Sequence, residues 1–350
     1  MRLILNIGMH KTGSSSIQQS LHRYRGPTAK YLNIGHPNHS VVFSTMFRTE
    51  PHRYSAHARN NRTEEDVAAL RKDYFDKIDQ LMRNARGKDI IVSGEDIVLL
   101  NEDELRAMQS FFDPYVDEIM IVGYVRPPVS LMSSALQQRV AGGASIQKEG
   151  LYPNYRQKLE KFDTVFGRDR VLLTRFDRGT LDQGDVVIDF LNKAGVDPAT
   201  VEVVRDNEGR SLEATSVMLA QRRFGRGFGR YPKAPHDNRR MNDLLRDLGT
   251  QKVKLHSDYW REVVDANVDD LAWISERLGA PLLDEAPDGP RHIRSPEDLL
   301  QRSGSFLPEV LELLAGEATD IDHVAPELMG RAMDLLHDVI RAKREAQEKT

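Results

Sequence analysis

The chain has 350 residues, a formal net charge of −4 and no cysteine. That length allows one large domain, or a main domain with an appendage. The missing cysteines exclude disulfides, thiolate nucleophiles and cysteine-ligated metals, and the slightly acidic balance argues against a general affinity for nucleic acid or anionic lipid.

No apolar run approaches the roughly 18 residues of a membrane span. The first residues lack the basic region, long apolar stretch and cleavage site of a secretion signal. A cytoplasmic protein without a membrane span is therefore expected. Leu3 to Ile7 reads as a short apolar strand, followed at once by a Gly/Ser/Thr-rich loop and a helix from Ser16 to Tyr24. A second strand is expected at Tyr31–Ile34, and residues 35–62 read as loop with some helix. Glu64 to Ala85 predicts a long helix. Asp89 to Ser93 is a strand whose unbroken apolar core fits a sheet covered on both faces.

Glu102 to Phe112 predicts a helix, Glu118 to Val125 a strand, and Val129 to Val140 a helix entered through Arg126-Pro127-Pro128. Helix at Tyr155–Phe166, strand at Val171–Phe176 and helix at Val186–Ala194 continue the alternation. Alternating strands and helices predict an α/β fold with a central parallel sheet in three layers. After about residue 200 the pattern changes. Residues 222–235 form a basic, glycine-rich stretch, and Asp237–Leu248 and Tyr259–Leu278 read as helices. Residues 279–296 read as a linker or surface loop, and Pro308–Leu314 and Ile321–Lys343 as further helices. The division expected is a main domain over 1–280 and a linker with a helical extension over 281–350.

The loop Gly8-Met9-His10-Lys11-Thr12-Gly13-Ser14-Ser15 carries the clearest chemistry. Backbone N–H groups of a tight loop running into a helix start cradle phosphate oxygens. Glycine lets the backbone approach, Lys11 adds a positive charge, and Thr12, Ser14 and Ser15 add hydroxyl donors. Capping of a helix accounts for one serine and one glycine, but not for Lys11 nor for the strand directly before it. Gly8 and Gly13 have the separation of the GxxxxGK[ST] nucleotide motif, yet Ser14 stands where that motif has lysine.

Residues 7–17 resemble the 5′-phosphosulfate-binding loop of sulfotransferases that use 3′-phosphoadenylyl sulfate (PAPS), most closely the bacterial carbohydrate-sulfotransferase-like branch. The family's second element is a strand ending in arginine, a Pro-containing turn and a helix with a serine eight residues after the arginine. Val122 to Arg126, Pro127-Pro128 and Ser134 match it. The resemblance implies a P-loop-type fold, PAPS as sulfate donor and no metal. It implies that Gly8, Lys11, Thr12, Gly13, Ser14 and Ser15 hold the phosphosulfate end and Arg126 and Ser134 the 3′-phosphate. It also implies transfer of a sulfuryl group to a hydroxyl or amine acceptor, with a carbohydrate favoured, and Lys11 stabilising the leaving oxygen.

An acceptor hydroxyl needs a base. Glu95, in Ser93-Gly94-Glu95-Asp96, follows a strand at the sheet edge where ligands bind; it is the first choice, although it and Asp96 equally suit a helix cap. His10 is the rival base. His36, His39, His52 and His57 form no recognised metal spacing. The basic stretch, with Arg226, either closes over the nucleotide as a late basic loop does in the family, or holds an acidic glycan, or is simply solvated. Two other functions remain open: a P-loop kinase or nucleotide hydrolase, which wants a lysine after Gly13, and a catalytically silent nucleotide-binding protein. Nothing in the sequence decides against a homo-oligomer.

Overall fold

A computed structural model describes residues 1–312, apart from 10, 86, 206–208, 225–240, 285, 307–308 and 311. Its centre is a five-stranded sheet with the order β2-β3-β1-β4-β5. The strands are β1 Arg2–Asn6, β2 Ala29–Tyr31, β3 Asp89–Ser93, β4 Glu118–Val125 and β5 Val171–Arg175. Every neighbouring pair is parallel, so each connection must cross back over a face of the sheet.

The crossovers supply helices α1 Ser14–Leu21, α2 Ser40–Phe47, α3 Ser55–Arg59, α4 Glu64–Arg83, α5 Glu102–Phe112, α6 Pro128–Gly142 and α7 Tyr155–Phe166. Later come α8 Val186–Ala194, α9 Leu212–Phe224, α10 Ser257–Asp265, α11 Val268–Leu278 and α12 Pro296–Arg302. Helix starts follow local chemistry. Thr63 and Asp66 form a reciprocal capping box at α4, and Asn101 and Glu104 form another at α5.

The period of two along each strand sorts residues into two cores. Leu3, Leu5, Ile90, Val92, Ile119 and Ile121 join Phe43, Ile78, Phe112, Leu136 and Phe162 on one face. Ile4, Ile91, Met120 and Val122 join Ile17, Leu21, Val187 and Phe190 on the other. Both faces are therefore dry, which is why the strands read as continuous apolar runs. The helix after β1 lies on the second face and the helix after β4 on the first. The chain thus leaves two adjacent strands in opposite directions, the arrangement that opens a crevice at the carboxyl edge of a parallel sheet.

Several boundaries differ from expectation. β2 is Ala29–Tyr31 rather than 31–34; Leu32 follows the strand and gives its N–H to the Ile91 carbonyl at 2.9 Å. The helix expected over 259–278 is two helices, because Asn267 leaves the helical region at φ −120°, ψ 28°. The segment α9 and the short α12 were not signalled by periodicity. Residues 279–296, expected as a linker or surface loop, send Leu282 and Ile293 into the main core, as α12 does Leu299. No helix among the described residues is long and apolar enough to cross a membrane. The helix expected at 321–343 lies outside the described residues, as does most of that at 308–314.

Candidate functional site

The loop after β1 stays attached to β4 as it leaves the sheet. Ile7 gives its N–H to the Val122 carbonyl at 3.0 Å, and Met9 to that of Tyr124 at 3.4 Å. The chain then folds tightly. Thr12 donates its hydroxyl to the Met9 carbonyl at 2.5 Å, and Lys11 and Gly13 take left-handed conformations with φ of 67° and 81°. For a lysine that conformation costs on the order of 1–2 kcal/mol, so the surrounding structure must hold it. Gly13 has no such cost, and it also sits against Val186, whose Cγ1 lies 2.5 Å from where a Cβ would be. Gly8 is crowded by side-chain oxygens: a Cβ there would lie 2.9 Å from Thr12 Oγ1 and 3.0 Å from Ser14 Oγ.

Beneath the loop is a buried polar cluster. Asn6 accepts the Gly8 N–H at 3.2 Å and donates to Ser93 Oγ at 2.9 Å, and Gln18 donates to the same hydroxyl at 3.2 Å. Asn6 and Ser93 are fully buried and Gln18 nearly so. Buried polar groups carry weight because leaving one unsatisfied costs about 1–3 kcal/mol. The cluster therefore fixes the loop to α1 and β3. The sequence reading missed it, although three small polar residues interrupting apolar segments were its visible signal.

One polar atom at the site is left over. Ser14 Oγ is buried and has no hydrogen-bond partner among the described residues, and α1 begins at Gly13 without a side-chain cap. The first-turn N–H groups of a helix have no intrahelical acceptors, and they favour an anion there.

The second element meets the first. Arg126, at the end of β4, donates from Nη1 to the Lys11 carbonyl at 3.0 Å and from Nε to Ser130 Oγ at 3.3 Å. Its guanidinium lies 5.9 Å from the centre of the Phe176 ring, and Tyr155 donates its hydroxyl to the Arg126 carbonyl at 2.7 Å. Burial lowers the Arg126 pKa and the nearby Asp284 opposes that change. Ser134 is buried two turns into α6.

Asp284 is the unforeseen member of the site. Its carboxylate accepts the N–H groups of Val129 and Ser130 at 3.1 Å each, which caps α6 beside Arg126. Burial raises the Asp284 carboxyl above its ordinary range, and the hydrogen bonds from Ser130 and Val129 pull it back.

Glu95 sits half-buried at the start of a 3-10 turn, Glu95–Leu99, past the end of β3. The glycine before it is needed there: a Cβ on Gly94 would lie 2.9 Å from the backbone nitrogen of Ser40 at the start of α2. Asp96 accepts the Tyr54 hydroxyl, while its own N–H goes to Ser40 Oγ at 3.1 Å.

The four histidines of the β2–α3 region do not converge. His39 is buried, donates from Nε2 to the Leu32 carbonyl at 2.9 Å, accepts the Ser93 N–H on Nδ1 at 3.1 Å and stacks on Tyr31. Burial pushes its pKa down to about 3, so it is a neutral structural group. His36 is exposed and closes a turn with Asn38, His57 pairs with Thr45 and Arg62, and His52 lies 3.8 Å from Glu64. Among the described residues no group of His, Asp and Glu is arranged to hold a metal ion. His10 and Arg226 lie outside the described residues.

No family model matches the chain. An uncharacterised protein of Archaeoglobus fulgidus is 26% identical over 136 residues, which cover 38% of this chain and 37% of that protein. The match therefore spans well under half of either protein.

Proposed function

We propose that the crevice at the ends of β1 and β4 binds PAPS and that the protein transfers its sulfuryl group to a hydroxyl or amine acceptor, with a carbohydrate favoured. The observation that carries this reading is the bond from Arg126 to the Lys11 carbonyl. It joins the two motifs that resemble the sulfotransferase family across 115 residues of sequence. The uncapped start of α1 and the unpartnered Ser14 hydroxyl offer donors of the kind a 5′-phosphosulfate needs. In this reading the fold is of the P-loop type.

Lys11 is assigned to the bridging oxygen, which gains negative charge as the S–O bond breaks, and Arg126 with Ser134 to the 3′-phosphate. The acceptor oxygen forms the new bond to sulfur, its proton passes to the Glu95 carboxylate, and the desulfated nucleotide leaves. Glu95 holds this role because of its place at the end of β3, next to the loop strand. Charge stabilisation at a developing anion is typically worth about 100- to 1000-fold in rate.

The test is calorimetric titration with 3′-phosphoadenosine 5′-phosphate beside transfer of labelled sulfate from PAPS to a panel of glycans and small alcohols. Micromolar nucleotide binding is expected, weakened at least about 100-fold in the Lys11→Ala, Arg126→Ala double variant. A dissociation constant above millimolar for the wild type would overturn the reading. Glu95→Gln should slow transfer and spare nucleotide binding; unchanged turnover removes Glu95 from the mechanism.

A further inference from the structure

Three cations gather near the 3-10 turn that Glu95 opens. Arg48 ends α2, giving its N–H to the Ser44 carbonyl at 3.2 Å, and its guanidinium lies 5.3 Å from the centre of the Tyr54 ring. Lys158 and Lys161 stand one turn apart on α7, which packs against α5 and the 3-10 turn that Glu95 opens. All three side chains are half-buried.

Their donors are left unused. Among the described residues, none of the three makes a hydrogen bond or ion pair through its side chain, and the buried Arg48 Nε has no partner. The carboxylate nearest in effect to Lys161, Glu104, is already engaged: its two oxygens accept the N–H groups of Thr49 and Asn101 at 2.7 and 2.9 Å. Asp270, which faces Lys158, accepts the N–H groups of Tyr155 and Arg156 at 2.9 and 2.7 Å. Burial lowers the pKa of both lysines, Lys161 to about 8, with Lys158 and Arg48 adding to the effect at Lys161 and Glu104 and Glu102 opposing it. Half-buried cationic groups that make no hydrogen bond keep unsatisfied donors, and an external anion, which brings acceptor oxygens, is their natural complement.

We propose that Arg48, Lys158 and Lys161 form a subsite for a carboxylate or sulfate ester carried by the acceptor, which makes an acidic saccharide the substrate class. The acceptor role rests on the sulfuryl-transfer reading; the anion site does not. Position favours the acceptor over the nucleotide. The Tyr54 ring beneath Arg48 leads through its hydroxyl to Asp96, the neighbour of Glu95, whereas the donor's charges are assigned to the loop and Arg126. A guanidinium also matches the two oxygens of a carboxylate or sulfate in a planar pair of bonds.

The experiment is calorimetry of the full chain at fixed ionic strength with digalacturonic acid, its neutral counterpart galactobiose, inorganic sulfate and 3′-phosphoadenosine 5′-phosphate. The wild type should bind the acidic disaccharide at least about tenfold more tightly than the neutral one. The Arg48→Gln, Lys158→Gln, Lys161→Gln variant should lose that preference and bind the nucleotide as before, which also shows that it folds. If it does not fold, Lys161→Gln alone should reduce the preference and Lys161→Arg should retain it. Equal binding of the two disaccharides, an unchanged preference in the variants, a parallel loss of nucleotide binding, or sulfate binding as tight as the disaccharide would each overturn the proposal. Failure of the nucleotide to bind the wild type, with the disaccharide preference present and lost in the variants, would remove the transfer reading and leave the anion site standing.

Discussion

The junction after β1 enters its helix through a left-handed Gly13 with no side-chain cap, and leaves the buried Ser14 hydroxyl without a partner among the described residues. The junction after β4 enters α6 through Pro127 and receives the Asp284 carboxylate on the N–H groups of Val129 and Ser130. Both helices start at the carboxyl edge of adjacent parallel strands, and both present the same partial positive charge. Among the described residues, one has its anion supplied by the chain and the other does not. The difference separates a helix start finished with a cap from one without, the start to which the proposed reading assigns the phosphosulfate, and the sequence alone shows the two as equivalent strand-to-helix turns.

Substitution tests that contrast most strongly at Gly13. An alanine there must hold φ near 81° with its Cβ 2.5 Å from Val186 Cγ1. The left-handed conformation and the overpacking together should cost about 2–4 kcal/mol in urea unfolding. A loss below about 1 kcal/mol would mean that the loop relaxes freely and has no fixed shape.

Asp284→Ala comes next, with an expected loss of about 1–2 kcal/mol for an internal cap. Its pH dependence has a definite sign. Burial raises the carboxyl above its ordinary 3.8 in the folded chain. As pH falls from neutral, the folded state therefore takes up this proton before the unfolded state does, and the group's contribution grows. The deficit of the variant relative to wild type should widen between pH 7 and about 4; a deficit that shrinks would place the carboxyl below its usual range instead. Nucleotide affinity should rise in this variant, since a carboxylate beside Arg126 is removed, and a fall would make Asp284 part of the binding site.

The smallest effect on stability should come from Ser14→Ala. Removing a buried hydroxyl that bonds to none of the described residues should leave unfolding within about 0.5 kcal/mol of wild type, or slightly improve it. Nucleotide binding should nonetheless weaken about tenfold, as for the loss of one hydrogen bond to a charged group. A stability loss with unchanged binding would reverse the roles of the two junctions.

Much of this framework is legible in the sequence. Continuous apolar runs at 3–7, 89–93 and 118–125 marked strands buried on both faces, and three helices fell on their expected limits because caps and terminal glycines mark them locally. Gly8, Lys11, Gly13 and Arg126 were singled out by residue type beside those strands, and the structure brings Lys11 and Arg126 into contact. Asp284 was not legible. It lies in a stretch rich in proline, glycine and aspartate whose composition resembles a surface loop, and its partners are more than 150 residues away. Arg48 shares no sequence spacing with Lys158 and Lys161, since only the fold brings α2 and α7 together. The burial of His39 was equally hidden: the groups that take both its ring nitrogens, the Leu32 carbonyl and the Ser93 N–H, are backbone atoms that any residue could have supplied.

The bond between Arg126 and the Lys11 carbonyl also bears on the order of events during synthesis. The loop residues are made well before β4, but the guanidinium that bonds to Lys11 in its left-handed conformation arrives 115 residues later, at the end of a strand pairing directly with β1. A nascent chain ending at α5 contains the whole loop sequence and neither the strand nor the arginine that it meets in the fold. The loop's observed shape is thus withheld from every shorter nascent chain until β4 has been laid beside β1.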